Sequence, residues 1–264
     1  MKASLIRVAA LARNTFREAI RDKILYSLLF FAILMILSAL VLGQLSLHEE
    51  RRLIRDVGIG GISLFAVLIA IFAGVSLLYK ELERKTVFTI IPKPLHRFEF
   101  VLGKFLGMAL VLLVLVLIMS TVMCIVGLIG GSSPDGALVR AITMLYVEGI
   151  VVTAVAVLFS SFSTPFLSGM FTLGIFILGR STPELRQIAP KLGVAQPIVK
   201  GITAMLPDLH LLSISGSMAD GRLVSVHGDF VDWSYVAVSS VYGLGYAALL
   251  LGLACFLFSR RDFV

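Results

Sequence analysis

The sequence predicts an all-α integral membrane protein. It would have six transmembrane helices, an N-terminal interfacial amphipathic helix and short outer helices before the last span. Three observations lead there. The 264 residues are 58% hydrophobic and their mean hydropathy is +1.00, above the usual range of soluble domains. The apolar residues gather in runs of about 20, the length that crosses roughly 30 Å of hydrocarbon. The first 23 residues are different: charged, and periodic at helical spacing. A single transmembrane domain, 1–264, uses up the chain and leaves little sequence for a separate soluble unit.

Residues 1–23 come first. Leu5, Ala9, Ala12, Phe16 and Ala19 form an apolar stripe, and Arg13, Arg17 and Arg21 repeat at four-residue spacing. A basic amphipathic helix of this kind lies in the membrane interface. The charged stretch and the length of the following apolar run are unlike a cleavable signal. The first span is expected over 24–47, with a charged loop at 48–57, and the second over 59–79. A third runs over about 105–130 and stops at the turn cluster GGSSPDG. The apolar stretch 138–179 is too long for one span. The sequence SSFSTP at 160–165 divides it into spans at about 139–159 and 165–179. The second of these is short for a bilayer, which suggests a hairpin packed inside protein or a locally thin membrane.

Residues 180–230 form an outer segment broken by Pro183, Pro190, Pro197 and Pro207. ELRQIA and PIVKGITAML read as short amphipathic helices, and SGSMADGRL as a loop. The last span is expected over about 233–258, with Phe230, Trp233 and Tyr235 as an interfacial aromatic anchor. Six spans put both termini on one side. That side carries fourteen Lys and Arg against nine on the other, so the termini and the 80–104 segment are expected in the cytoplasm.

Motifs for chemistry are missing. Gly103–Lys104 is not a phosphate-binding loop, because Phe98 and Phe105 stand where that loop needs Gly and Ser or Thr. No catalytic residues and no metal site are expected, and Cys124 and Cys255 read as small apolar residues. Glu148 is the one acidic residue deep in a span, where a charge costs about 2.5–3.5 kcal/mol. It is either a pathway residue, with Ser120, Thr121 and Thr153 as further polar groups, or a structural Glu hydrogen-bonded to a neighbour such as Tyr146. Small residues four apart, at Gly103/Gly107, Ala70/Gly74 and Gly127/Gly131, permit close helix contact.

The segment ELERKTVFTIIPKPLHRFEFVLGK, 81–104, is helical, then broken by Pro92 and Pro94, then helical again. Its stiffness, its mixed charge and the apolar residues Val87, Phe88, Ile90 and Ile91 suit docking on a cytoplasmic protein. Glu81, Glu83, Thr86, Pro94, Arg97, Phe100, Gly103 and Lys104 form a pattern that resembles the cytoplasmic loop of type-2 ABC transporter permeases. The six-span layout, the N-terminal helix and the closing RRDF agree with that family over essentially the whole chain. One departure is Lys85, where the family often has Gly before Thr. The similar subfamily with short outer helices includes permeases associated with copper-enzyme maturation and gliding motility.

The resemblance implies a permease subunit of an ABC exporter, without an ATP site of its own. ATP and Mg would be held by a separate ATP-binding subunit present in two copies. Glu81, Glu83, Thr86, Pro94, Arg97 and Lys104 would couple to it, and Glu148 would lie on the pathway. A second permease chain would complete a homodimer in the bacterial cytoplasmic (inner) membrane. An extracytoplasmic protein is a further partner, and nucleic acid is not expected. The alternative is a mechanotransmission permease that relays ATP energy to an outer partner without moving a substrate.

Overall fold

Helices follow the apolar runs closely. The computed structural model describes residues 2–45, 50–83, 96–131, 135–190, 196–213, 217–219, 222–224 and 231–260. In chain order these give α1 (Lys2–Ala19), α2 (Lys23–Leu45), α3 (Glu50–Glu83), α4 (Arg97–Ile129), α5 (Gly136–Ser160) and α6 (Pro165–Arg180). They continue with α7 (Thr182–Ile188), α8 (Gln196–Met205), a 3-10 turn (Leu209–Leu212), β1 (Ser217–Ala219), β2 (Arg222–Val224) and α9 (Trp233–Ser259). Among the described residues, α2, α3, α4, α5 and α9 are long and apolar enough to cross a membrane. The expected fifth span is α6. It is apolar but has 16 residues, about 24 Å of helix, so the six expected spans resolve into five long helices and one short one.

Local chemistry sets the boundaries. Asp22 accepts a hydrogen bond from the Ile24 N–H at 3.0 Å as α2 begins. Asp135 caps α5 by accepting from Leu138 N–H at 3.0 Å, and Asp232 caps α9 by accepting from Trp233 N–H at 2.8 Å. Pro165 stands in the first turn of α6, where its missing N–H costs nothing. Gly131 ends the α4 side with φ +73, a left-handed conformation that favours glycine.

Two expectations need correction. The charged stretch 48–57 is not all loop, because α3 already starts at Glu50. Its Arg55 lies 2.9 Å from Asp135, so the charges join the start of α3 to the start of α5. SGSMADGRL is not simply a loop either. Ser217–Ala219 and Arg222–Val224 pair antiparallel, Ser217 opposite Val224. The Asp-Gly between the two strands in the sequence is a two-residue hairpin signal.

The central element is α5. Of its apolar window 78% is buried, against 22% for α2 and 33% for α9. Apolar side chains gain little by leaving lipid, so helices in a membrane associate through close packing. The contacts around α5 show this. A Cβ placed on Gly74 of α3 would lie 2.5 Å from Ala156 Cβ, and one on Gly243 of α9 would lie 2.8 Å from Val147. One on Gly149 of α5 itself would lie 2.6 Å from Leu112 of α4.

The expected interfacial helix is α1, and its apolar stripe divides. Ala12 and Ala19 are buried, while Leu5 and Ala9 are exposed. The buried side lies on the first turns of α4. A Cβ on Gly103 would meet Leu11 Cβ at 2.6 Å, and one on Gly107 would meet Thr15 Cβ at 2.5 Å. The Gly103/Gly107 pair therefore seats α1. Gly107→Val is expected to destabilise the protein by about 1–3 kcal/mol through overpacking. Gly169→Ala, where a Cβ meets nothing within 4 Å, should be neutral or stabilising. Thermal unfolding in one detergent compares the two.

Candidate functional site

Two places gather polar side chains from distant parts of the chain. The first is the junction where α4 begins. Arg97 opens that helix, and its Nη1 donates to the Ser259 carbonyl at 2.8 Å and to the Phe258 carbonyl at 3.5 Å. These are terminal carbonyls of α9, which lack partners within their own helix and carry partial negative charge. Phe100 stacks on Phe258 with ring centroids 5.9 Å apart, so the same turn holds α9 by packing as well.

Glu99 is fully buried in this junction. Its Oε2 accepts from the His96 N–H at 3.2 Å, closing a capping box, and its Oε1 accepts from Arg7 of α1 at 2.8 Å. One turn further, the Nζ of Lys104 lies 3.5 Å from Glu18 of α1 and 5.9 Å above the Phe100 ring. Arg7 beside Glu99, Leu11 against Gly103 and Thr15 against Gly107 advance together by four residues. So α1 runs alongside α4 in the same direction, fixed by one ion pair near each end. The N-terminal helix, the start of α4 and the end of α9 meet at one end of the bundle.

The second place lies inside the bundle, under the outer segment. Because α6 is short, the chain after it folds back over its end. Gly179 makes room, since a Cβ there would lie 2.6 Å from the Pro207 carbonyl oxygen. Leu209 and Leu212 of the 3-10 turn are buried. This cap is tied to α9: the Tyr235 hydroxyl donates to the Leu211 carbonyl at 2.8 Å, and Tyr242 accepts from the Asp208 N–H at 3.0 Å. Arg186 of α7 lies 3.0 Å from Asp208.

Below the cap is a cavity of about 570 Å³ whose walls include Ser63, Leu64, Phe176, Ile177, Arg180, Glu184, His210 and Ser213. Arg180 is its organising side chain. Its Nη1 donates to Ser63 at 3.1 Å and its Nη2 to Ser213 at 2.9 Å, and the guanidinium stands 5.6 Å above the Phe176 ring. The Nε lies 3.9 Å from Glu148, whose side chain is 1% exposed. Neither Glu148 oxygen makes a hydrogen bond among the described residues. The pair is a charge contact that leaves the carboxylate's hydrogen-bonding capacity unused. Tyr146 is not the partner of Glu148, because its hydroxyl donates to the Ala109 carbonyl at 3.3 Å.

A family model described as "ABC-2 family transporter protein" matches residues 9–263. The chain belongs to this family. It is a type-2 ABC transporter permease subunit and a multi-pass membrane protein. Comparison with curated proteins finds no match. Permeases of this family generally pair with ATPase subunits and carry no ATP-binding domain of their own. Among the described residues no cluster of His, Cys, Asp and Glu could hold a metal ion.

The residues singled out in the permease loop fall into three groups. Glu81 and Glu83 lie in the last turn of α3. Thr86 and Pro94 lie outside the described residues. Arg97 and Lys104 both contact this chain: Arg97 binds α9, and Lys104, 1% exposed, is buried against α1. Lys104 therefore presents nothing to a docked subunit here and acts by positioning α1. The polar groups weighed with Glu148 do not join it. Thr121 and Thr153 bond to carbonyls one turn back, Leu117 and Gly149. Sequence patterning does not single out Arg7, Glu18, Glu99 or Arg180, because each has its partner on a segment far away in the chain. A signal did exist: Glu99 stands one turn before the small pair Gly103/Gly107 and Lys104 stands within it, so charges sit beside a face that permits close helix contact.

Removing one member of a fully buried ion pair costs about 3–5 kcal/mol, because the other is left uncompensated. Only Glu148 is fully buried here, Arg180 being 30% exposed and 3.9 Å away, so Arg180→Gln in the permease should destabilise it by less than that. Adding Glu148→Gln should recover most of the loss, and a double-mutant cycle by thermal unfolding in detergent measures the coupling.

Proposed function

We propose that this permease forms the translocation pathway of an ABC exporter and is driven by a separate ATP-binding subunit that grips the 81–104 segment. The observation that carries this reading is the junction at the start of α4. The segment leaves it directly between α3 and α4, and the three side chains that follow, Arg97, Glu99 and Lys104, tie its exit to α9 and α1. A force applied to the segment reaches three helices at once.

Helix length supports the same reading. With 34 and 33 residues, α3 and α4 are each about 50 Å long, and each exceeds a hydrocarbon core of about 30 Å by about 20 Å. In α3 the excess is shared between its two ends, since the charged turns at 50–56 meet Asp135 on the far side, whereas in α4 about 12 Å of it, 97–104, lies on the side of the segment. Glu81, Glu83, Thr86 and Pro94 would meet the ATPase, and Arg97 and Lys104 would hand the motion on. ATP and Mg would bind only in that partner, in two copies, and a second copy of this chain would complete a homodimer. The Lys and Arg asymmetry supports cytoplasmic termini, and the proposed setting is the inner membrane of a bacterial cell. The buried Glu148–Arg180 pair beside a polar cavity favours a transport pathway over pure mechanical relay.

Coupling of this kind is reciprocal in binding: a change in the permease must alter the affinity of the ATPase for its nucleotide. The test is affinity purification of the tagged chain in mild detergent, with mass spectrometry and an ATPase assay. A stoichiometric P-loop ATPase should be recovered. Glu81→Ala should lower its coupled activity about fivefold or more with the thermal stability of the permease kept, whereas Arg97→Ala, which also loses its bonds to α9, should lower both. Recovery of the permease alone, under conditions that preserve other membrane complexes, would rule the reading out.

A further inference from the structure

The cavity under the cap has two kinds of wall. Its depth is polar, with Arg180 held by Ser63 and Ser213. Its rim is apolar where α3 and α6 meet, since Leu64 and Ile177 are 47% and 53% exposed. The rim is acidic where Glu184 of α7 stands, also exposed. A site for a small water-borne ion has no use for an apolar mouth on two membrane helices. A ligand with a polar head and a hydrocarbon tail uses both parts.

The charges narrow the head. Arg180 offers a guanidinium, the side chain best matched to phosphate. Ser63 and Ser213 accept from it now, and their hydroxyls can rotate to donate to an anion in its place. Glu184 at the mouth opposes a purely anionic head and suits an ammonium. Glu148 lies behind Arg180 and gives the cation a partner while the cavity is empty. A volume of about 570 Å³ suits a head of this size, within the roughly 300–1,000 Å³ of small-ligand sites. Depth agrees as well. Counted from Pro165 at one boundary, Arg180 lies about 22 Å along α6, about 8 Å short of a 30 Å core. A head bound there is drawn slightly inward from its own leaflet.

We propose that this cavity binds the zwitterionic head of a phospholipid, with the phosphate on Arg180, the ammonium on Glu184 and the acyl chains leaving over Leu64 and Ile177. The inference rests on the permease reading only for what the bound lipid is for. Binding itself is a property of this chain, so the two fail separately.

The test uses the full-length purified chain in detergent and native mass spectrometry. The probes are phosphatidylethanolamine and phosphatidylglycerol with identical acyl chains, with O-phosphoethanolamine and inorganic phosphate as competitors. One phosphatidylethanolamine per chain should be retained, at about tenfold lower concentration than phosphatidylglycerol. Arg180→Gln should abolish retention, and the Arg180→Gln/Glu148→Gln double variant, which restores charge balance, should still not bind. Glu184→Gln changes an exposed side chain and should fold normally, yet it should erase the preference between the two lipids. Equal retention of both lipids by the unaltered chain, or an unchanged preference in Glu184→Gln, would overturn the proposal. Displacement by inorganic phosphate would reduce the site to an anion site, and equal competition by O-phosphoethanolamine would replace the lipid with a free zwitterion. Either result would also overturn it. Loss of the ATPase from a pull-down would leave this measurement unaffected.

Discussion

Close approach of helix backbones around α5 is the constraint on which the rest of the structure depends. In a bilayer the apolar side chains of α2 or α9 are as comfortable in lipid as against protein, so burial alone does not hold the bundle together. What holds it is contact at short range. Gly74 faces Ala156, Gly149 faces Leu112 and Gly243 faces Val147, each with no room for a larger side chain as placed. These contacts bring α3, α4 and α9 against one helix. They also fix where polar groups can stand, because Glu148 lies one residue from Gly149 and Val147 on that same tightly packed helix.

Charge is used sparingly against this background, and at joints. Arg55–Asp135 joins the start of α3 to that of α5. Arg7–Glu99 and Lys104–Glu18 join α1 to α4, and Arg180–Glu148 joins the end of α6 to the middle of α5. Each pair bridges elements that packing alone would leave free to slide. The two polar centres differ in kind. Glu99 has both oxygens engaged, by Arg7 and by its own helix start. Glu148 has a charge partner at 3.9 Å and no hydrogen bond among the described residues. The first is built to stay closed, and the second keeps unused capacity beside a cavity.

Much of this was legible in the sequence, because a bilayer narrows the choices. Runs near 20 residues, stopped by GGSSPDG and divided by SSFSTP, place α2, α5 and α9 within about three residues, whereas α3 and α4 begin nine and eight residues before the apolar runs that announce them; the shortness of α6 follows from simple counting. The short helices α7 and α8 were legible from their patterning between prolines. The joints were harder to see. A Lys two turns into a helix, at the edge of an apolar run, reads as a solvated charge until a partner helix is placed on it; Lys104 is buried where α1 lies over Gly103 and Gly107. Arg180 was counted as an outer-loop cation, for its inward direction depends on the cap folding back over Gly179. Tyr235 read as a membrane anchor, whereas its hydroxyl holds that cap. Each of these misses concerns a contact between segments far apart in the chain, which periodicity does not encode.

The seat of α1 on α4 lies off centre. It centres on Gly103, about 9 Å from the start of α4 at Arg97 and about 39 Å from its far end at Ile129. Beyond it the same helix is gripped again, with Leu112 against Gly149 of α5 and Met123 against Gly58 of α3. Glycines thus hold α4 at three levels against three different neighbours, so it is clamped along its length like a beam built into several walls.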